Sequence, residues 1–184
     1  MKSIRLGSQE WMSENLNVCH FRNGDPIQEF WETNGEIGKA AWTYYNNDPV
    51  NASQYGRLYN WHAITDSRGL APIGWHIPDD SEWQALITLL GGAKEAGIKL
   101  KIPHFAHWQK DENVADEAGF NAVPAGMHLS DGEHGDIGVR AYFWTVTEAS
   151  ATEAWYWFLG IKSNEIKRFA AKKSYGFSIR CIRD

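Results

Sequence analysis

Residues 69–92, GLAPIGWHIPDDSEWQALITLLGG, contain a helix whose start and end are both marked in the sequence. Asp79 and Glu82, three residues apart, match a capping box, which predicts that Asp79 is the N-cap. Apolar side chains then recur at helical spacing along one face, at Trp83, Leu86, Ile87 and Leu90. The glycine pair at 91–92 allows the left-handed turn that ends a helix. We therefore expect a helix over 80–90 that packs one apolar face against a sheet.

The composition is that of a globular protein with many large rings. The 184 residues suit one domain over 1–184. Ten Trp, seven Tyr and eight Phe, with 17 Gly, suggest a loop-rich fold stabilised by aromatic packing. The net charge of −5 and the lack of a basic run argue against a nucleic-acid partner.

Membrane and export signals are not evident in the sequence. No stretch approaches the ~18 apolar residues of a membrane span. Residues 1–7 lack the apolar centre of a signal peptide. Either the protein is cytoplasmic or its sequence begins after a removed signal.

The remaining segments predict an α+β fold, because helices are grouped between two sets of strands. Residues 4–12 are typical of a hairpin, and residues 56–64 of a second helix with Leu58, Trp61 and Ile64 on one face. Residues 27–54 carry mixed signals and are expected to be mostly loop, while 93–118 favour neither helix nor loop. An antiparallel meander then follows, with predicted strands at 120–127, 139–146, 154–159, 165–170 and 176–182.

The aromatic strands of this meander form the candidate ligand-binding surface. Alternation in a strand places Trp155 and Trp157 on one face and Tyr156 and Phe158 on the other. An exposed Trp or Tyr suits stacking on a sugar ring or anchoring of a partner protein. The alternative is that these rings fill the core. The candidate ligand-binding residues are Tyr142, Trp144, Tyr156, Trp157 and Arg168.

Two segments and a weaker third, Asn46-Asn47-Asp48, are candidate metal sites, and no other cofactor is predicted. Asp131, Glu133 and Asp136 lie within six residues of each other, and calcium favours such oxygen-rich loops. The alternative is a turn with solvated acids. His104 and His107 have a spacing that would place both imidazoles beside one metal on a helical turn, although solvated loop histidines are the simpler interpretation.

Cys19 and Cys181 are the two cysteines of the sequence. Their spacing does not show whether they meet, so one disulfide and two buried thiols both remain open.

The chain resembles the Fibrobacter succinogenes major paralogous domain family over nearly its whole length. The hallmarks are WMSENLNV (11–18), YGRLYNWHA (55–63), GLAPIGWHIPDDSEW (69–83), GFNAVPAG (119–126), FWTVTE (143–148), AWYW (154–157) and KSYGFSIRCIRD (173–184). The resemblance implies a C-type-lectin-like fold whose terminal strands lie together. The strands next to Cys19 and Cys181 would then be neighbours, which favours a disulfide between the two cysteines. The resemblance also implies an exported or surface protein. It gives no catalytic activity to expect of this chain.

The resemblance leaves three functions to compare. We expect a non-enzymatic module of a secreted or cell-surface protein that binds a glycan or surface protein through the C-terminal strands. The alternative is a structural or protein-interaction domain. The third is a formylglycine-generating type of enzyme or an unknown hydrolase. Formylglycine-generating enzymes have a related fold and a lead-in like residues 77–83, but their chemistry needs a cysteine pair, and only Cys181 lies near the C-terminal strands.

Overall fold

The computed structural model describes residues 2–30, 38–102, 108 and 118–184, which form a mixed helix-and-sheet structure. Trp31, in the segment 27–54 that was expected to be mostly loop, and the His104–His107 pair lie outside the described residues. The strands are β1 (Ser3–Leu6), β2 (Gln9–Met12), β3 (Gln28–Glu29), β4 (Ala41–Thr43), β5 (Leu58–Tyr59), β6 (Trp75–His76), β7 (Ala125–His128), β8 (His134–Ile137), β9 (Arg140–Glu148), β10 (Glu153–Gly160), β11 (Ile166–Lys172) and β12 (Ile182–Arg183). The helices are α1 (Ala52–Tyr55), α2 (Trp61–Ile64), α3 (Asp80–Leu89) and α4 (Ala93–Leu100).

The described strands form sheets ordered β1-β2-β12-β6, β11-β10-β9-β7-β8 and β3-β4-β5. The predicted N-terminal hairpin is confirmed, with Ser3 opposite Met12. The expected neighbourhood of the two terminal segments is also present. β2 and β12 are antiparallel, with Ile182 opposite Trp11, and the amide of Leu16 donates to the carbonyl of Ile179.

Helix α3 begins with the predicted capping box. The Asp79 carboxylate accepts from the Glu82 amide at 2.9 Å, and the Glu82 carboxylate accepts from the Asp79 amide at 2.9 Å. Trp83, Leu86 and Ile87 are fully buried. They belong to the same hydrophobic cluster as residues of β9 and β10, so the helix packs on the five-stranded sheet as expected.

The single helix predicted over 56–64 is wrong. Residues 58–59 form β5, and Tyr59 exchanges two backbone hydrogen bonds with Phe177. Only residues 61–64 are helical, and the side chain of Asn60 caps them by accepting from the amide of Ala63. Pairing with a distant segment therefore overrides the local helical spacing.

Helix α4 lies where the sequence favoured neither helix nor loop. Its Gly97 packs against the loop between β10 and β11, where a Cβ atom would stand 2.5 Å from the carbonyl oxygen of Asn164. Glycine is a poor helix former, so its presence weakens the local helical pattern while its lack of a side chain permits this approach.

Two further predictions about the C-terminal strands need correction. Strands β9, β10 and β11 form the predicted antiparallel meander. Strand β7 is instead parallel to β9, and β8 lies on the other side of β7, at the edge of the sheet. Residues 176–182 are not one regular strand, since only 182–183 form β12. The alternation there does not separate inside from outside, because Ser178 and Arg180 are as buried as Phe177 and Ile179.

Candidate functional site

The structure separates the five predicted ligand-binding residues onto two faces of the β9-β10-β11 sheet. Tyr156 lies opposite Trp144 on β9, and the alternation places Tyr142 on that same face. Trp157 lies opposite Arg168 on β11, which places both on the other face, toward α3. The predicted division of the β10 side chains between the two faces is correct. Because the five residues lie on both faces, they cannot all contact one ligand.

Trp144 and Trp157 are core residues, which corrects their predicted role in ligand binding. The Trp144 side chain is 0% exposed, and its indole nitrogen donates to the carbonyl of Tyr59 at 3.0 Å. Trp157 is 4% exposed, and its indole nitrogen donates to Asp80 at 3.1 Å. Both rings bury their area and satisfy their one polar atom inside the protein.

Arg168 is held by partners within the protein. Its guanidinium carbon lies 3.6 Å from the ring centroid of Trp155, and its Nε donates to Asp80 Oδ1 at 2.7 Å. Because Asp80 is the first residue of α3, Arg168 ties the edge strand β11 to the helix.

The face carrying Tyr156 holds a partly exposed aromatic surface, formed by Tyr156, Phe158 and Phe169, which we call the aromatic patch. The Phe169 ring is 48% exposed, and its centroid lies 5.6 Å from that of Phe158 and 6.4 Å from that of Tyr156. Tyr142 lies beside the patch, opposite Phe158 on β9, and is almost fully buried, with its ring 6.0 Å from that of Phe158. The patch is therefore a continuous surface of rings supported by the core.

Phe158 and Phe169 were not among the predicted ligand-binding residues. The available signal was the position of Phe169 in KRFAA, where charged neighbours indicate a strand with a solvated side. Strand β11 is at the edge of its sheet, so among the described strands Phe169 has a neighbouring strand on one side only.

A polar network borders the aromatic patch. The Tyr142 hydroxyl donates to Asp136 Oδ2 at 2.5 Å, and Arg140 donates to the same oxygen at 3.0 Å. Burial raises the pKa of Tyr142, and that of Tyr156 is raised for the same reason. Both phenols are therefore neutral hydrogen-bonding groups. Lys167 stands opposite Phe158 across β10 and β11 and is exposed.

The structure does not bring the three predicted calcium ligands together. Asp131 accepts from the backbone amide of Glu133 at 3.1 Å, which closes a local turn. Asp136 points instead to Arg140 and Tyr142. Within the described ranges, no cluster of three or more His, Cys, Asp or Glu side chains is placed to hold a metal ion.

Cys19 and Cys181 are free thiols in the structure, so the disulfide implied by the resemblance is not formed there. Cys181 is buried in the core, and Cys19 is partly exposed, with its sulfur 3.2 Å from Nδ1 of His20. Burial raises the pKa of Cys181 to about 12.

Comparison with known protein families identifies the family of this chain. The sequence model of the family described as the Fibrobacter succinogenes major domain matches residues 4–183, which is nearly the whole chain. No curated protein and no solved structure shows a significant match.

Proposed function

The chain belongs to the Fibrobacter succinogenes major domain family, and from that premise we propose that it is a non-enzymatic module of an exported bacterial protein that binds a glycan. In this proposal the fold is C-type-lectin-like, the location is the cell surface or its surroundings, and the ligand binds at the aromatic patch. Within the described residues, no helix is both long and apolar enough to cross a membrane.

The observation that carries the proposal is the exposure of Phe169 beside Phe158 and Tyr156. Large rings bury efficiently, so a core-supported ring that remains 48% exposed on a sheet is available for a ligand. Sugar rings present an apolar face of C–H groups, and flat aromatic rings can stack on it.

Polar groups at the edge of the patch would fix the orientation of a bound sugar. Lys167 and Arg140 carry exposed N–H donors at its border. The neutral phenol of Tyr156 can donate or accept. Such a combination of an apolar platform with a few polar groups is typical of small-ligand sites.

The test is a broad glycan-binding screen of the purified protein, run once with calcium and once with chelator. We expect reproducible binding that Phe169→Ala abolishes, because the substitution removes the exposed platform. Ile73→Ala is a suitable control, since Ile73 is exposed and apolar but lies outside the patch. Retained binding in Phe169→Ala, or no binding by the unmodified protein, would contradict the proposal. Loss of binding with chelator would show that ligand binding requires a divalent metal ion.

The alternative is a structural or protein-interaction domain, and the same patch supports it. Phe158 and Phe169 have no polar side-chain atoms and would equally well bury against another chain. A negative glycan screen together with a partner whose binding is lost in Phe169→Ala would favour this alternative. The formylglycine-generating type of enzyme has less support, because a thiol with a pKa of about 12 is protonated at neutral pH and unreactive.

A further inference from the structure

A groove of about 440 Å³ lies near the N-terminal hairpin and contains none of the residues of the aromatic patch. Residues 13–15 and 17, which follow β2, line it together with residues 52–54 of α1 and Gly56. The rest of the lining is Lys2, Ile102, Asn121, Val123 and Arg180. Its volume falls within the ~300–1,000 Å³ typical of small-molecule sites.

The groove has a buried positive charge at its floor. Arg180 is 1% exposed. Its Nε donates to the side-chain oxygen of Asn15 at 2.7 Å, and its other nitrogens donate to the carbonyls of Met12, Phe120 and Asn121. All of these acceptors are neutral. Among the described residues, no carboxylate forms an ion pair with Arg180.

A guanidinium buried in this way is costly, because neutral acceptors replace its hydration without cancelling its charge. Burial lowers the pKa of Arg180 to about 9, partly opposed by the charge of Glu14. The side chain is nevertheless mainly protonated at neutral pH. An anion in the groove would be stabilised by this charge, since ion–ion interactions are strong at partly desolvated sites.

The rim adds one charge of each sign and several uncharged polar groups. Lys2 and Glu14 form an exposed ion pair of 2.7 Å. The charged groups around the groove are therefore Arg180, Lys2 and Glu14, with a positive sum. The hydroxyl of Ser13 and the amide of Gln54 make no hydrogen bond to any described residue, so both are available to a ligand.

We propose that this groove binds a small carboxylate that also carries hydroxyl groups, as a sugar acid does. The carboxylate would lie at the end near Arg180 and Lys2. The hydroxyls would bond to Ser13, Gln54 and the side-chain oxygen of Asn121. The uncharged polar groups of the lining would form hydrogen bonds with the hydroxyls, and the charge of Arg180 would stabilise the carboxylate. This site is independent of glycan binding at the aromatic patch.

The proposal is tested by calorimetric titration of the full chain with D-galacturonate and with its neutral counterpart D-galactose. We expect galacturonate to bind roughly tenfold tighter or more, which corresponds to ~1.4 kcal/mol. Its affinity should fall as salt is added, because screening weakens the charge interaction. Failure of galacturonate to bind, or equal affinity for both sugars, would overturn the proposal.

Two matched variants locate the site. Gln54→Trp places a large side chain at the rim and should abolish galacturonate binding, while Gln84→Trp, on the exposed side of α3, should leave it unchanged. Arg180 and Asn15 are not substituted, because both hold the core together. Phe169→Ala should also retain binding. Loss in Gln84→Trp or in Phe169→Ala, or retained binding in Gln54→Trp, would overturn the assignment to this groove.

Discussion

Arg168 lies over the indole of Trp155, with 3.6 Å between the guanidinium carbon and the ring centroid. In this position its Nε reaches Asp80 Oδ1, the same oxygen that accepts from the indole nitrogen of Trp157. One carboxylate oxygen at the start of α3 therefore holds two neighbouring strands. The residue predicted to bind a ligand instead connects a helix to the edge of the sheet.

We expect Asp80→Ala to lower the free energy of unfolding by about 1–3 kcal/mol, because the buried indole N–H of Trp157 loses its acceptor. Asp80→Asn keeps an oxygen at this position but loses the negative charge, so its loss should be smaller. Urea unfolding of the three proteins measures the difference. Equal losses in both variants would show that the shared oxygen is not the stabilising feature.

Asp79→Ala should cost about 1 kcal/mol of stability through loss of the N-cap. The alanine leaves the amide of Glu82 without its acceptor at the start of α3. Asp79→Asn is the matched variant and should cost less, because asparagine can still accept from the amide of Glu82 as an N-cap. Thermal unfolding measures both. An unchanged melting temperature in Asp79→Ala would contradict the contribution of the capping box.

The stability of the protein should depend on the protonation of His76. Partial burial lowers the pKa of His76, but hydrogen bonds to Glu82 and Asp184, each 2.8 Å long, outweigh it and raise the pKa above its usual value of 6.5. The folded state therefore binds the proton more tightly than the unfolded state. This stabilisation is complete below the usual pKa and is lost as pH rises through the folded-state pKa.

The difference in unfolding free energy between the unmodified protein and His76→Gln isolates this effect. We expect that difference to shrink as the pH rises from about 6 to about 9. Burial lowers the pKa of His62, His128 and His134, so the contribution of these residues to stability increases as the pH rises. The variant shares this contribution, so the comparison removes it. A difference that is constant with pH would show that His76 is not stabilised in its charged form.

Two phenylalanines on the same side of the sheet should respond differently to truncation. Phe177 is fully buried, with its ring 4.4 Å from that of Trp144, so Phe177→Ala should cost about 3–5 kcal/mol. Phe169→Ala should cost ~1 kcal/mol or less, because the ring is half exposed already. Chemical unfolding of both variants tests this. A large loss of stability in Phe169→Ala would mean that the ring stabilises the fold and is not simply an exposed surface for a ligand.

The cysteines should differ in reactivity toward a thiol reagent. In the native protein we expect Cys19 to react readily and Cys181 to remain protected, because Cys181 is buried and its pKa is raised to about 12. Both should react after denaturation without a reducing agent. Failure of both thiols to react in denaturant would show that they form the disulfide implied by the family resemblance.

The features that were predictable from sequence are those decided by neighbours along the chain. The capping box joins Asp79 to Glu82, the N-terminal hairpin joins residues nine apart or fewer, and the parity of Trp157 and Tyr156 follows from strand geometry alone. None of these features depends on which distant segment packs against it.

The features that were missed depend on distant partners. Tyr59 is in a strand because Phe177 pairs with it, and Trp144 is buried because Phe177 covers it. Phe169 remains exposed because its strand is at the sheet edge. Which ring on an aromatic strand can meet a ligand is thus decided by the covering segment rather than by the strand itself, so composition and alternation could not select Phe169 over Trp144.

The pairing of β2 with β12 also has a consequence for biosynthesis. Residue 11 is synthesised 171 residues before residue 182, yet the two are direct partners in one sheet. During translation β2 therefore has an unpaired edge until β12 is synthesised. Unpaired strand edges can pair with other chains. Contacts so distant in sequence also slow folding. A chain cut before residue 182 would keep the capping box of α3 but would lack the strand that joins β2 to β6, so this sheet could not form as a whole.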